Sequence, residues 1–281
     1  MNDTPIWTPS AAFAERSAMA GYLRWLEAQR GQRFDSYDAL WRWSVSDLEA
    51  FWRSIWGHFG LHSPTPFTRA LAERRMPGAR WFEGATLNYA TQVFRHAARG
   101  TPAIRFAGEA QALAELSWPE LRRRVASLAA ALRALGVQRG DRVAAYLPNV
   151  PETVVAFLAC ASVGALWSVC APDMGAVAVL DRLRQITPRV LLATTGYRWG
   201  GRVHDRRDVV RELLAGLPTL QQWIEVPGPA PGLDTTALPR HDWATLIADD
   251  VPLAIDDVPF EHPLWVVYSS GTTGAPKPIV H

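Results

Sequence analysis

Behind a short apolar run at residues 264–268 the sequence reads Ser269-Ser270-Gly271-Thr272-Thr273-Gly274-Ala275-Pro276-Lys277. Four hydroxyls, two glycines and a lysine at these positions are suited to gripping phosphate. The glycines let backbone N–H groups crowd around one anion, and the hydroxyls add donors at the same place. Lys277 supplies a mobile positive charge. It is the only lysine of the chain, arginine filling the other strongly basic positions. The loop is not of the Walker type, which needs Gly-Lys adjacent and a helix opening behind it. Here Pro276 and Pro278 flank the lysine, and neither has a backbone donor. A Gly/Ser/Thr-rich hairpin turn is the bland alternative. The ordered string as a whole favours an ATP phosphate-binding loop made of Ser269, Ser270, Gly271, Thr272, Thr273, Gly274 and Lys277.

Read from Tyr268 to Lys277, the pattern Tyr-Ser-Ser-Gly-Thr-Thr-Gly-x-Pro-Lys resembles the phosphate loop of the adenylate-forming acyl-CoA synthetases. The continuation Pro278-Ile279-Val280-His281 is similar to the acetoacetyl-CoA synthetase branch of that family. Acetyl-CoA synthetases more often show Gly-Ser-Thr-Gly and Lys-Gly-Val. The similarity covers most of the chain. Trp81-Phe-Glu-Gly-Ala-Thr-Leu-Asn-Tyr-Ala90 resembles the opening segment of the branch. Gly140-Asp-Arg-Val-Ala-Ala-Tyr-Leu-Pro-Asn149 and Ala165-Leu-Trp-Ser-Val-Cys-Ala-Pro-Asp-Met-Gly175 are similar to further stretches, in the same order.

The resemblance implies a two-step ligation using ATP, Mg²⁺ and coenzyme A. A carboxylate attacks the α-phosphorus of MgATP, giving acyl-adenylate and pyrophosphate, and the CoA thiol then displaces AMP. Negative charge grows on the departing pyrophosphate, where preorganised N–H groups, hydroxyls and a lysine stabilise the transition state more than the ground state. Mg²⁺ neutralises more of the same charge. The implied acid is acetoacetate, by lineage and not by contacts; acetate or propionate is the runner-up. Peptide-synthetase adenylation domains and luciferase-like enzymes share the loop type, but the Trp-rich N-terminal part and residues 81–90 point away from both. A non-catalytic ATP-binding or interaction module is the alternative from a different class.

Members of this family run to more than twice the present length. Their adenine and ribose contacts, acid pocket and small mobile C-terminal domain lie downstream of the loop. The expectation is an N-terminal portion of a synthetase, without catalytic residues of its own and silent in isolation. Lys277 is distinct from the adenylation lysine of that mobile domain.

Tyr197-Arg198-Trp199-Gly200-Gly201-Arg202 forms a second basic site. In related acetyl-CoA synthetases, arginines of the corresponding glycine-containing turn contact the phosphate-bearing nucleotide end of CoA. Arg198 and Arg202 are the matching candidates, with a spacing that differs by one residue. A guanidinium donates two parallel hydrogen bonds, which suits phosphate. An ordinary Arg/Gly surface turn is the competing reading, and Arg206 and Arg207 read as helix-face charges.

The balance of the 281 residues excludes several other classes. A net charge of +2 leaves no electrostatic footprint for nucleic acid, and Arg122-Arg123-Arg124 reads as a solvated helix face. Cys160 and Cys170 lie in an apolar stretch without metal-ligand companions, as buried thiols of a reducing compartment do. His58 and His62 have helical i,i+4 spacing but no third ligand nearby, so no metal site is expected. The start Met1-Asn-Asp-Thr-Pro5 has no signal-peptide pattern, and the expected location is the cytoplasm. Residues 154–169 are nearly all apolar yet fall short of the ~20 residues of a membrane span. They read as a buried helix passing through Gly164 into a central strand.

Two textures position these candidates. Residues 1–84 hold seven of the 13 tryptophans and read as a helical N-terminal cap packing on the main domain. Within it, residues 34–56 carry an aromatic stripe at near-helical spacing, with Ser36 and Ser44 as capping candidates. Residues 85–281 alternate strands and helices, as the first part of an AMP-binding domain. Ser117-Trp-Pro-Glu120 opens one helix in a capping-box pattern. Strands are expected at 142–147, 165–169, 190–194, 220–226 and 264–268, with a helix opening at 149–152 and helices at 177–186 and 205–214 between them. This α/β alternation argues for a doubly wound, mainly parallel sheet. Ligands of such sheets sit beyond the carboxyl ends of the strands, where residues 269–277 fall.

Overall fold

Side-chain oxygens placed just ahead of the apolar runs start the helices of the N-terminal part. In the computed structural model, which describes residues 6–235, 238–269 and 274–281, Ser10, Ser17, Ser36 and Asp47 each accept the backbone N–H three residues on. They open α1 (Ala11–Glu15), α2 (Ala18–Arg30), α3 (Tyr37–Ser46) and α4 (Leu48–His58). Ser44, expected as a cap, lies inside α3 and donates its hydroxyl to the Trp41 carbonyl. The break comes at Asp47, whose carboxylate takes the N–H of Ala50. A serine that can bond back into its own helix loses the capping role to a carboxylate at the break.

The chain divides into two compact units, Met1–Ala85 and Thr86–His281. In the first, Tyr22, Leu26 and Leu40 are buried among Leu23, Trp25, Phe34, Trp43, Phe51 and Ile55. A hairpin, β1 (Arg69–Glu73) with β2 (Arg80–Glu83), carries a second cluster in which Ala70, Phe82 and Ala85 meet Trp56, Phe67 and Trp81. Phe34, Trp43, Phe51 and Trp56 of the aromatic stripe are therefore packing residues, whereas Tyr37, Trp41 and Trp52 stay exposed. His58 is set edge-on to the rings of Tyr22, Trp25 and Phe59.

The second unit opens with β3 (Thr86–Leu87), α5 (Tyr89–Phe94) and the hairpin β4 (Ile104–Gly108), β5 (Gln111–Leu116). Ser117 then caps α6 (Trp118–Ala134), as its sequence predicts. There follow β6 (Arg142–Tyr146), α7 (Pro151–Val163), β7 (Leu166–Cys170), α8 (Ala176–Leu183) and β8 (Val190–Ala193). A second hairpin, β9 (Gly196–Trp199) with β10 (Arg202–Asp205), precedes α9 (Arg207–Gly216), β11 (Gln222–Glu225), β12 (Arg240–Asp242) and α10 (Trp243–Leu246). The last strands are β13 (Val258–Pro259), β14 (Val266–Tyr268) and β15 (Pro278–Val280).

Five strands form one sheet in the order β12-β11-β8-β6-β7, every pair parallel. Successive residues point to opposite faces of a strand, and here both faces are covered. Val143, Ala145, Leu192 and Ile224 face a layer with Leu121, Val125 and Leu128 of α6 and Val155 and Ala159 of α7. Ala144, Tyr146, Leu191, Ala193 and Trp223 face the other layer, with Val179 and Leu183 of α8 and Val210 and Leu213 of α9. The sheet is thus doubly wound as expected. From β6 the chain goes one way to β7 and returns past it to β8, which makes the carboxyl ends of β6, β7 and β8 the switch point. The apolar stretch at 154–169 is buried as α7, closing on Gly164, and β7. Among the described residues no helix is long and apolar enough to cross a membrane.

Candidate functional site

The strand that leads to the candidate phosphate loop is held by its neighbour. The Trp167 N–H donates to the Leu264 carbonyl at 3.0 Å, Trp167 and Trp265 form a parallel bridge, and the Ser168 hydroxyl donates to the Val266 carbonyl at 2.9 Å. β14 therefore lies alongside β7 and ends, at Tyr268, on the carboxyl side of the parallel strands. β15 returns antiparallel to it, with Tyr268 opposite Pro278. The ladder extends one step further: the Ser269 N–H donates to the Lys277 carbonyl at 3.1 Å, closing the neck of the loop. Gly274, on the returning limb, has φ +103°, a conformation that suits glycine and strains other residues. Of the predicted loop residues, Ser269 and Gly274 are described, and Lys277 is exposed at the neck. Ser270, Gly271, Thr272 and Thr273 lie outside the described residues.

The two limbs of the neck are tied to α8 and to the turn that follows it. On the outgoing limb the Tyr268 hydroxyl donates to the Arg182 carbonyl at 2.9 Å, and the Arg182 guanidinium lies 6.0 Å from the Tyr268 ring centre. Burial raises the Tyr268 pKa, which keeps that donor protonated. On the returning limb the Gln185 side-chain amide donates to the Pro276 carbonyl at 2.8 Å. The sequence carries no local sign of either tie.

The second candidate region is the β9–β10 hairpin. Gly200 and Gly201 form its two-residue turn with φ +60° and +74°, as a tight hairpin of matching twist requires. Arg198 stands opposite Val203, and Arg202 opposite Trp199. Directly opposed residues share a face, so the two arginines project from opposite faces of the ribbon. Arg202 shares its face with Trp199 and with Tyr197 and His204, whose rings stack at 4.9 Å. At the tip, the N–H groups of Gly200 and Gly201 each donate to one oxygen of the Glu109 carboxylate, both at 2.8 Å. These two bonds, with a smaller contribution from the Arg198 charge, hold the Glu109 carboxyl below its ordinary pKa.

Arg206 is not a solvated helix charge. Its guanidinium donates to the Pro172 carbonyl at 2.8 Å and to the Tyr197 hydroxyl at 3.0 Å, and it lies over the Tyr197 ring at 5.2 Å. The Tyr146 hydroxyl, fully buried at the end of β6, is within 2.7 Å of the same Pro172 carbonyl and 2.8 Å of that of Met174. The loop behind β7 and the base of the hairpin are thereby fastened together. Arg207 pairs with Asp205 at the surface, and that partner holds the Asp205 carboxyl at a pKa of about 2. Arg123 also departs from its expected role: besides Glu120 it bonds the carbonyls of Ile247 and Ala248. Both thiols are free and buried; burial pushes Cys170 up to about 11 and Cys160 higher still. Among the described residues no group of three or more His, Cys, Asp and Glu is placed to hold a metal ion.

Comparison with known proteins agrees with this architecture. The family model described as AMP-binding enzyme matches residues 94–281, and the one described as acetyl-coenzyme A synthetase N-terminus matches residues 37–93. An acetoacetyl-coenzyme A synthetase of Rhizobium meliloti (strain 1021) is 40% identical over 286 residues, covering 99% of this chain and 43% of the relative. A malonamoyl-CoA synthetase of Penicillium aethiopicum is 31% identical, covering 98% of this chain and 40% of that relative. Among solved structures, acetoacetyl-CoA synthetase from Streptomyces lividans superposes with a TM-score of 0.93 at 48% identity, over 99% of this chain and 43% of the other. The chain thus spans about 43% of the length of the first of these relatives. With the matched model covering 188 of 281 residues (94 to 281 inclusive), the chain belongs to the AMP-binding enzyme family.

Proposed function

We propose that the gene product carrying this chain is an ATP-dependent acid–CoA ligase, converting acetoacetate, ATP and CoA to acetoacetyl-CoA, AMP and diphosphate. The observation that carries this reading is the loop neck between Ser269 and Lys277, delivered by β14 to the carboxyl edge of a parallel sheet. A glycine- and hydroxyl-rich segment held there by its two limbs can point N–H and O–H donors at one group of phosphate oxygens. In the first half-reaction the acid carboxylate attacks the α-phosphorus, the bond to the bridging oxygen breaks, and pyrophosphate leaves with the electron pair. The role assigned to Ser269, Ser270, Gly271, Thr272, Thr273, Gly274 and Lys277 is to stabilise the charge that grows on that leaving group. Mg²⁺ enters with ATP as part of the substrate. In the second half-reaction the CoA thiol attacks the acyl carbon and AMP departs.

The β9–β10 hairpin is proposed as the contact for the phosphate-bearing nucleotide end of CoA. Its support is a turn whose two N–H groups already hold a carboxylate, flanked by Arg198 and Arg202. Arg202, with exposed Trp199 on its face, offers a charged and an aromatic surface together. Small-molecule substrates suffice as partners for this chemistry. Two free, buried cysteines are in keeping with a cytoplasmic protein. The N-terminal residues 1–84 and the remainder 85–281 are assigned as the N-terminal cap and the first part of the AMP-binding domain.

Acetoacetate is favoured over other acids because the relatives that carry that name include the more similar of the two sequences above. A site that hydrogen-bonds the β-keto oxygen penalises analogues lacking it. The test is ATP–pyrophosphate exchange and CoA-ester formation by the purified gene product with acetoacetate, malonamate, acetate, propionate and butyrate in parallel. The highest kcat/KM is expected with acetoacetate. A higher value for acetate removes the acid assignment and leaves the ligase reading in place, whereas exchange with none of the acids removes both.

A further inference from the structure

The anion cradle at the tip of the β9–β10 hairpin is filled from within. Glu109 is a turn residue between β4 and β5, 91 positions away from Gly200 in sequence. Its carboxylate reaches across so that each oxygen takes one N–H of the adjacent Gly200 and Gly201. In this tight turn the two neighbouring N–H groups point toward a common anion. We propose that Glu109 is the resident, displaceable occupant of this cradle, and that a phosphate monoester on a nucleotide binds there by expelling it. This inference rests on the assignment of the hairpin to the phosphate-bearing end of CoA and adds to it a residue that sets which anions gain entry.

Two features suit exchange better than permanent closure, and a third sets its selectivity. The Glu109 side chain is exposed, and Gly200 and Gly201 are exposed with it, so solvent and solutes reach the bonds. The carboxylate brings one negative charge and two oxygens. A phosphate monoester brings nearly two charges and three acceptor oxygens, and it meets arginines on either face of the hairpin. Finally, the occupant is tethered, so its local concentration is high and constant. Singly charged solutes are screened out by that competition, while a dianionic phosphate held by a further guanidinium overcomes it. Apparent affinity is reduced by the fraction of time the cradle is open, about three- to tenfold for a clasp closed roughly 70–90% of the time.

Two measurements test the proposal with Glu109→Gln, which keeps the side-chain size and removes the charge. In the 281-residue chain, adenosine 3′,5′-bisphosphate is titrated while the Gly200 and Gly201 amides are followed by ¹⁵N NMR. Binding at these amides is expected to tighten about three- to tenfold in the variant. Equal affinity in both proteins, or no response of the two amides in either, overturns the proposal. In the gene product carrying the chain, KM for CoA is expected to fall by a similar factor, with KM for dephospho-CoA and the rate of ATP–pyrophosphate exchange unchanged. Equal shifts for CoA and dephospho-CoA overturn it. If the bisphosphate titration responds while KM for CoA does not, the cradle and its occupant stand and the CoA assignment of the hairpin fails.

Discussion

The backbone N–H of Ser269 donates to the carbonyl of Lys277 at 3.1 Å, which sets the two ends of the candidate phosphate loop one strand spacing apart. The lysine therefore does not hang from a free chain. Its backbone belongs to a ladder that continues through Tyr268 opposite Pro278 and Val266 opposite Val280, and that ladder is docked on β7 through Trp167. A charge whose base is fixed in this way costs little reorganisation when an anion arrives, the condition under which electrostatic stabilisation is most effective.

Replacement of Lys277 by alanine is expected to slow adenylation by the gene product while leaving thiolysis of a preformed acyl-adenylate much less affected. The loss corresponds to about 2–4 kcal/mol if the ammonium acts on charge developing in the transition state. Single-turnover measurements of the two half-reactions give the comparison. Equal slowing of both assigns Lys277 to folding or closure instead.

Gln185 and Tyr268 are expected to act on the same step from a distance. Tyr268→Phe removes the bond from α8 to one limb of the loop neck, and Gln185→Ala the bond from the turn behind α8 to the other. Each change loses on the order of 1 kcal/mol, seen as a rise of about fivefold in KM for ATP, with thiolysis unaltered. Restoration by Gln185→Glu is not expected, because a carboxylate cannot donate to the Pro276 carbonyl. If both variants match the parent in KM for ATP, the neck is held without these two ties.

Much of this arrangement was legible from local sequence, and the illegible part has a common cause. Ser117 ahead of Trp118-Pro119 announces α6, and the apolar run at 190–193 announces a strand buried on both faces. Those signals depend on residues a few positions apart. Ser44 misled because the same three-residue spacing serves a cap or a bond back into the helix, and only the actual break at Asp47 decides between them. Arg206 was misread because its partners, Pro172 and Tyr197, are set by the loop behind β7 and by the hairpin. Gln185 and Glu109 give no signal at all, since each meets backbone groups 91 or 92 residues away, and a backbone acceptor or donor has no residue type to recognise. The hairpin pattern named Arg198 and Arg202 as a pair, but strand alternation puts them on opposite faces.

Neither cysteine is expected to react in the native protein. Cys160 is fully buried and Cys170 nearly so, and burial raises both thiols, Cys170 to about 11. At pH 7 the thiolate fraction of Cys170 is then roughly one in ten thousand. Treatment with a thiol-specific disulfide reagent is expected to modify less than one equivalent over minutes, and two equivalents after denaturation. Fast native labelling of Cys170 would mean that the end of β7 opens readily.

Glu120 is expected to make stability fall in acid. Its carboxylate bonds Arg123 and Arg124 at 2.8 and 2.6 Å, and these partners, Arg123 first, lower its pKa from 4.5 to about 2. A carboxyl depressed in the folded state contributes stability that is fully present above its unfolded pKa and is lost as pH falls through the folded value. The window here is therefore pH 4.5 down to about 2. The pair is about one-third exposed, so solvent screening reduces the contribution to about 1–2 kcal/mol. Glu120→Gln should then unfold at lower denaturant concentration than the parent at pH 7. The gap should shrink progressively below pH 4.5, because the parent carboxyl becomes neutral too. Arg123 also bonds the carbonyls of Ile247 and Ala248, so part of the loss reflects a strap to that segment loosening when its acidic partner goes. A gap that stays constant from pH 7 to pH 2 would place the effect of the substitution in helix capping or packing and not in the charge.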